Sequence, residues 1–153
     1  MKTIQSITLT EDVTLIVLSN TPADIRFVFR VFDALSQAGV NVDMISQSPA
    51  VGDRGALTFT IAGEQLTPAL MVIARLRETD PAIQLSISSD NCKIAVIGEE
   101  MRNLPGVAAD VFRAAAAVHA DLRLITTSEV DISLLVTKAD APGAMAAIEK
   151  AFA

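Results

Sequence analysis

Laid over itself, the sequence matches its own pattern: FDALSQAGVNVDMISQS, Phe32 to Ser48, falls on FRAAAAVHADLRLITTS, Phe112 to Ser128, without a gap. Few identities survive, but the order of apolar and polar positions does. A repeat of this kind means one supersecondary unit built twice, and it constrains the fold more than any single segment.

Each copy opens with a short apolar run, VTLIVL from Val13 to Leu18 and CKIAVIG from Cys92 to Gly98, followed by a proline-containing loop. A helix comes next. In the first copy Ile25, Val28, Phe29, Phe32 and Leu35 fall at spacings of three and four, and Gly39 is a natural stop. In the second copy Val107, Val111, Phe112 and Ala115 form the matching stripe, with Pro105 near the first turn, where its missing N–H costs nothing. Each helix runs into an extended segment, GVNVDMISQ or ADLRLITTS. Strand side chains alternate, so Val40, Val42 and Met44 face a core while Asn41, Asp43, Ile45 and Gln47 face away.

A further strand follows in both copies: one around Leu57 to Ile61, with Thr58 and Thr60 outward, and one from Val130 to Thr137. Then come helices in QLTPALMVIARLRET and APGAMAAIEKAF, each with its proline near the start. The first copy adds a strand at Ala82 to Ser88, completing βαββαβ, the ferredoxin-like split βαβ pattern. The second copy ends at Phe152 without its last strand, while Thr3 to Thr10 is a strand with no place in the first copy. Because an unpaired sheet edge is a liability, the amino-terminal strand is expected to fill that vacancy. The expected fold is α+β: a first domain over residues 11–89, and a discontinuous second one over 1–10 and 90–153.

Composition narrows function by exclusion. The chain of 153 residues is 51% hydrophobic, enough for a core, and its formal charge of −6 with scattered Lys and Arg argues against nucleic acid or an anionic membrane as partner. Without a signal-peptide core or a spanning apolar run, a cytoplasmic location is expected. Cys92, the single cysteine, leaves no disulfide framework or multi-cysteine metal site and reads as a buried strand residue. His119 ends an alanine-rich helix, where a cation suits the macrodipole. No P-loop, dinucleotide-type glycine motif, H-E-x-x-H or G-x-S-x-G is present, and Glu99 and Glu100 are adjacent, solvated acids. Neither catalysis nor a cofactor or metal is expected.

The paired loops point to binding. In SNTPADI, Ser19 to Ile25, and EEMRNLPGVA, Glu99 to Ala108, a strand delivers the chain to a helix start, whose unpaired N–H groups can receive a carboxylate. The outward strand face offers Asn41, Asp43 and Gln47. Together these would complement a free amino acid, but an ordinary half-exposed strand and helix entry would carry the same residues.

SNTPADI, GVNVDMISQ, IGEEMRNLPGVAADVF and ITTSEVDISLLV, in that order, resemble the tandem ACT domains that form the regulatory part of aspartate kinase. The resemblance covers essentially the whole chain. It implies a non-catalytic module, either a carboxyl-terminal fragment or a separately translated regulatory subunit, with the kinase domain absent. It implies a homodimer through ACT domains, association with the catalytic domain or subunit, and feedback control by lysine or threonine bound at an ACT–ACT interface. It assigns effector contacts to Asn20, Pro22, Ala23, Asp24, Ile25, Asn41, Val42, Asp43 and Gln47, with Asp43 on the ligand's ammonium and Gln47 hydrogen-bonding it. From the second repeat it adds Asn103, Leu104, Pro105, Gly106, Val107, Ala108, Thr127, Ser128 and Glu129. The chain departs from the family pattern at Pro22-Ala23, where many relatives have Pro-Gly, at Ala120-Asp121, usually Ile-Asn, and at Arg123 opposite Asp43. The first-repeat site is therefore the expected one. The alternative is a structural dimerisation module without a ligand.

Overall fold

In a computed structural model, which describes residues 4–153, two pairs of expected strands are fused. The elements run β1 (Ser6–Pro22), α1 (Ile25–Gln37), β2 (Val42–Val51), β3 (Arg54–Ala62), α2 (Leu66–Thr79), β4 (Gln84–Ile97), α3 (Val107–Ala117), β5 (Leu122–Thr127), β6 (Asp131–Thr137) and α4 (Ala141–Ala151). Short 3-10 turns precede α2 at Gly63–Gln65 and α3 at Glu99–Asn103. The amino-terminal strand and the Val13–Leu18 run are both parts of β1, and Ala82–Ser88 and Cys92–Gly98 are joined in β4. Thr3, where the first strand was expected to begin, lies outside the described residues.

Each fused strand bends at one residue. Asp12 (φ 54) and Asp90 (φ 59) are left-handed, a conformation that Asp and Asn tolerate better than most side chains. The chain divides at these points into two compact units, Asp12–Ser89 and a second built from Asp90–Ala153 with the chain up to Glu11. Within the first, β3 pairs antiparallel with both β1 and β2. Within the second, β6 pairs antiparallel with both β4 and β5. The architecture is α+β throughout, the ferredoxin-like arrangement, with helices covering one sheet face.

In the first unit Ile16, Leu18, Phe59 and Ile61 pack beneath Phe27, Val31 and Leu35 of α1 and Ala69 and Ile73 of α2. The second unit sets Ile94, Val96, Leu134 and Val136 beneath Val111 and Ala115 of α3 and Ala144 and Ile148 of α4, and adds Ile4 from the amino-terminal segment. Cys92 is buried in this core, where desolvation pushes its thiol pKa up.

Two expectations are corrected. The α1 stripe was expected to bury Ile25 and Phe29, yet they are 78% and 66% exposed; Leu35 of that stripe is buried as expected, together with Phe27 and Val31, which lay outside it. Phe29 sits two positions from Phe27, about 200° around a helix, so the two cannot share a face. Thr60, expected outward, is fully buried, and its Oγ1 accepts from the Met44 N–H at 3.0 Å. The cause is a bulge between Val42 and Ile45 that removes Met44 from the ladder. A register shift recurs between Leu122 and Leu124, so Asp43 and Arg123 both sit at bulges.

The helix exits repeat as well. Gly39 (φ 76) and His119 (φ 54) are both left-handed, and in each copy the next residue's N–H returns to the helix, Val40 to Leu35 O at 2.9 Å and Ala120 to Ala115 O at 3.1 Å. His119 thus fills a position for which glycine is the usual choice.

Candidate functional site

The two helix starts, alike in sequence position, differ in what occupies their N–H groups. At α1 the Asp24 carboxylate caps the helix, accepting from the Arg26 N–H at 2.9 Å and pairing with the Arg26 guanidinium at 2.8 Å. These hydrogen bonds hold the Asp24 carboxyl below its ordinary pKa. The Ala23 N–H donates to Asp53 O at 2.9 Å. Little is left at this loop to receive a ligand carboxylate.

Asn20 is also engaged. Left-handed at φ 55, it donates from Nδ2 to Ala82 O at 3.1 Å and accepts at Oδ1 from Arg54 Nε at 3.3 Å. Arg54 continues to Asp80 at 3.0 Å and holds its carboxyl below the ordinary range. The cluster ties the end of β1 to β3 and to the turn before β4. Sequence reading missed it, because its members are spread from Asn20 to Ala82.

The nine first-repeat candidates do not converge within this chain. Gln47 lies opposite Leu57, which lies opposite Leu18, so Gln47 is near the loop end of the sheet. Val42 lies opposite Ile61, which lies opposite Thr14, seven positions before Thr21. At strand rise that is roughly 20 Å from the loop. Asn41, Val42 and Asp43 therefore stand at the far end of the sheet from Pro22, Ala23, Asp24 and Ile25. Val42 packs against the core, and the Asn41 N–H donates to Gln65 Oε1 at 3.0 Å, while Asp43 and Gln47 are exposed. Asp140 plays the part of Gln65 in the second copy, accepting from the Asp121 N–H at 2.9 Å.

The second repeat does gather its candidates. Leu104, Gly106, Val107 and Ala108 line one side of a hollow of about 270 Å³, with Thr127, Ser128 and Glu129 on the other. Gly106 is left-handed at φ 92 and offers no side-chain cap. The Asp110 N–H is the one that reaches Gly106 O, at 3.0 Å, leaving those of Val107 and Ala108 without a partner inside the helix. Arg102 Nη1 meets Glu129 Oε2 at 2.7 Å, so a cation and an anion sit together on the lining. Asn103 and Pro105 are exposed and do not line it. Arg102, Met101 and Ile132, which do, were not singled out from sequence; only the placement of Arg102 in the MRN run could have suggested it.

The geometry offers uncapped N–H donors, a guanidinium, a carboxylate and two hydroxyls around one small volume. Among the described residues no three metal-ligating side chains cluster, and no helix is long and apolar enough to cross a membrane.

Residues 94–152 match the family model described as the ACT domain. The aspartokinase of Mycobacterium bovis is 33% identical over 142 residues, 92% of this chain and 33% of that protein. The chain spans about a third of the length of the curated relatives it matches. A crystal structure of the regulatory subunit of aspartate kinase from Thermus thermophilus, in its ligand-free form, is 28% identical with a TM-score of 0.91, covering 99% of this chain and 100% of that one. E. coli aspartokinase III in complex with lysine and aspartate shares the fold at 20% identity and a TM-score of 0.69, over 98% of this chain and 32% of that one.

Proposed function

We propose, for a chain that belongs to the tandem ACT regulatory domains of aspartate kinase, that it is a non-catalytic sensor of an end-product amino acid, lysine or threonine. The observation that carries this reading is the hollow at the start of α3. The ligand's carboxylate is received by the N–H groups of Val107 and Ala108 and by Arg102, where the helix dipole also favours a negative charge. Its ammonium exchanges into the place of Arg102 beside Glu129, with the Thr127 and Ser128 hydroxyls at hand. The lysine present in the E. coli aspartokinase III complex supports an amino acid as the class of ligand.

Asp43 stands at the far end of the sheet from the Pro22–Ile25 loop and from Gln47, which favours the use of these two side chains across an ACT–ACT interface in a homodimer. The module associates with an aspartate kinase catalytic domain or subunit in the cytoplasm. Effector binding acts on the kinase by favouring one arrangement of the paired domains, which requires unequal affinity for the two arrangements.

Titration calorimetry of the chain against lysine and threonine tests the reading, with Asp43→Ala, Gln47→Ala and Arg102→Gln to locate the site. Saturable binding of one of them, weakened by Arg102→Gln, is expected. A chain that dimerises yet binds no amino acid would be a structural module instead.

A further inference from the structure

We infer that the groove between α1 and α2 is a second ligand site, for an amphipathic anion: a molecule with an apolar body and one acidic group. It has a volume of about 740 Å³, well inside the range usual for ligand pockets, roughly 300–1,000 Å³. From Phe27 to Ala38 it follows α1 for about 16 Å at helical rise. Phe27, Val72 and Leu76 supply an apolar floor, and Arg30 and Arg75 supply cations on the lining.

Neither cation is held in a direct ion pair, although the Asp24 carboxylate feels the charge of Arg30. Among the described residues, no carboxylate lies within ion-pair distance of Arg30 or Arg75. Asp24 is paired with Arg26 at 2.8 Å, and Asp80, which is itself on the lining, with Arg54 at 3.0 Å, while Asp33 accepts from Gln37 at 2.9 Å and keeps its charge. Glu78, one turn beyond Arg75, makes no ion pair with it. Arg30 is also positioned, its guanidinium carbon 6.0 Å from the Phe27 ring centroid, so one cation already stands over the aromatic wall. Asp80, the carboxylate on the lining, is neutralised by Arg54, so an acidic ligand group meets two available guanidiniums, Arg30 and Arg75, on one apolar groove.

The other repeat provides a control within the same chain. Its groove between α3 and α4 is nearly as large, about 720 Å³, but Arg113 there is paired with Asp110 at 2.7 Å, Lys150 is the other cation on the lining, and the walls are mainly alanine, Ala114, Ala117 and Ala147, with no aromatic ring. The repeat kept the groove and changed its chemistry. Charge and aromatic surface coincide in the first groove alone of these two.

The probe is anilinonaphthalene sulfonate, compared with phenylnaphthylamine, the same ring system without its sulfonate. Fluorescence titration of the intact chain should show the sulfonate bound and its affinity reduced by roughly tenfold in Arg30→Gln/Arg75→Gln, as loss of charge-assisted hydrogen bonds requires. The uncharged probe should be unaffected by that change, and Arg113→Gln should alter neither. Decanoate should displace the sulfonate and inorganic phosphate should not. Equal sulfonate affinity in the double variant and the parent would overturn the inference, as would displacement by phosphate at the concentration effective for decanoate. Circular dichroism of the double variant confirms that the groove is intact, since both arginines are solvent-facing.

Discussion

Replacing Glu129 by Gln removes one charge from the proposed effector hollow and almost nothing from the fold, and the separation of these two effects can be worked out in advance. Its side chain is 75% exposed and that of its partner Arg102 is 51% exposed, with the charged atoms 2.7 Å apart. A pair so open to water contributes between 0 and about 1 kcal/mol, because solvent screens it and two long side chains lose freedom to make it. Gln keeps the shape and one acceptor oxygen, so a stability loss below about 0.5 kcal/mol is expected. A ligand ammonium held by Glu129 gains a charge-assisted bond of about 1.5–3 kcal/mol, so its loss weakens binding roughly 10- to 150-fold. Calorimetry with the better of lysine and threonine gives the affinity, and a urea midpoint on the same sample gives the stability. Affinity within twofold of the parent would refute the contact. A joint fall of affinity and midpoint would make Glu129 structural.

Other consequences are independent of the ligand. His119→Gly should raise stability by about 0.5–1 kcal/mol, because the left-handed backbone costs a side chain about 1–2 kcal/mol and glycine's extra entropy offsets part of the gain; the reverse test, Gly39→Ala, should lower it although a Cβ there meets nothing within 4 Å. A fall in the urea midpoint for His119→Gly would remove the backbone explanation. The Asp80 pKa is lowered by Arg54, so its contribution is present above about pH 4, the unfolded value, and is lost as pH falls through the folded one. Urea midpoints of the parent and Asp80→Asn should therefore converge on acidification; a constant gap contradicts the assignment. Deleting the first nine residues removes Ile4 from the core and the Gln5 N–H to Ile97 O bond, and should speed amide exchange in Asp90–Ala153 while sparing α1 and α2. Unchanged exchange there would show that the segment contributes nothing to that core.

Periodicity carried the fold well where one face of an element is apolar and the other is not. Leu57, Phe59 and Ile61 alternate in sequence and are each at most 2% exposed. It failed in part on α1, whose apolar arc is broad, running from Phe27 and Ala34 round to Phe29 opposite Arg26, Arg30, Asp33 and Gln37; the expected stripe leaned to one edge of that arc, and the sheet lies under the other. The joined strands escaped because Asp12 and Asp90 look like turn residues, and a single left-handed residue can bend a strand without ending it. At the site, sequence favoured the first repeat because it retains Asp43 and Gln47. It could not show that Asp24 turns its carboxylate onto its own helix, nor that Arg102 and Glu129 meet across 27 positions. Both are facts about where charges end up in space.

The strands bent at Asp12 and Asp90 also bear on inheritance. A repeat made by duplication is ordinarily free to be lost, moved or borrowed one copy at a time, since each copy is a contiguous length of gene. Here that freedom is unequal: Asp12–Ser89 is one contiguous length, whereas the other unit is divided between the chain up to Glu11 and Asp90–Ala153 and cannot be moved whole without the copy inserted in it. The pair is therefore the smallest contiguous piece that carries the second repeat whole, while the first could be lost or borrowed alone.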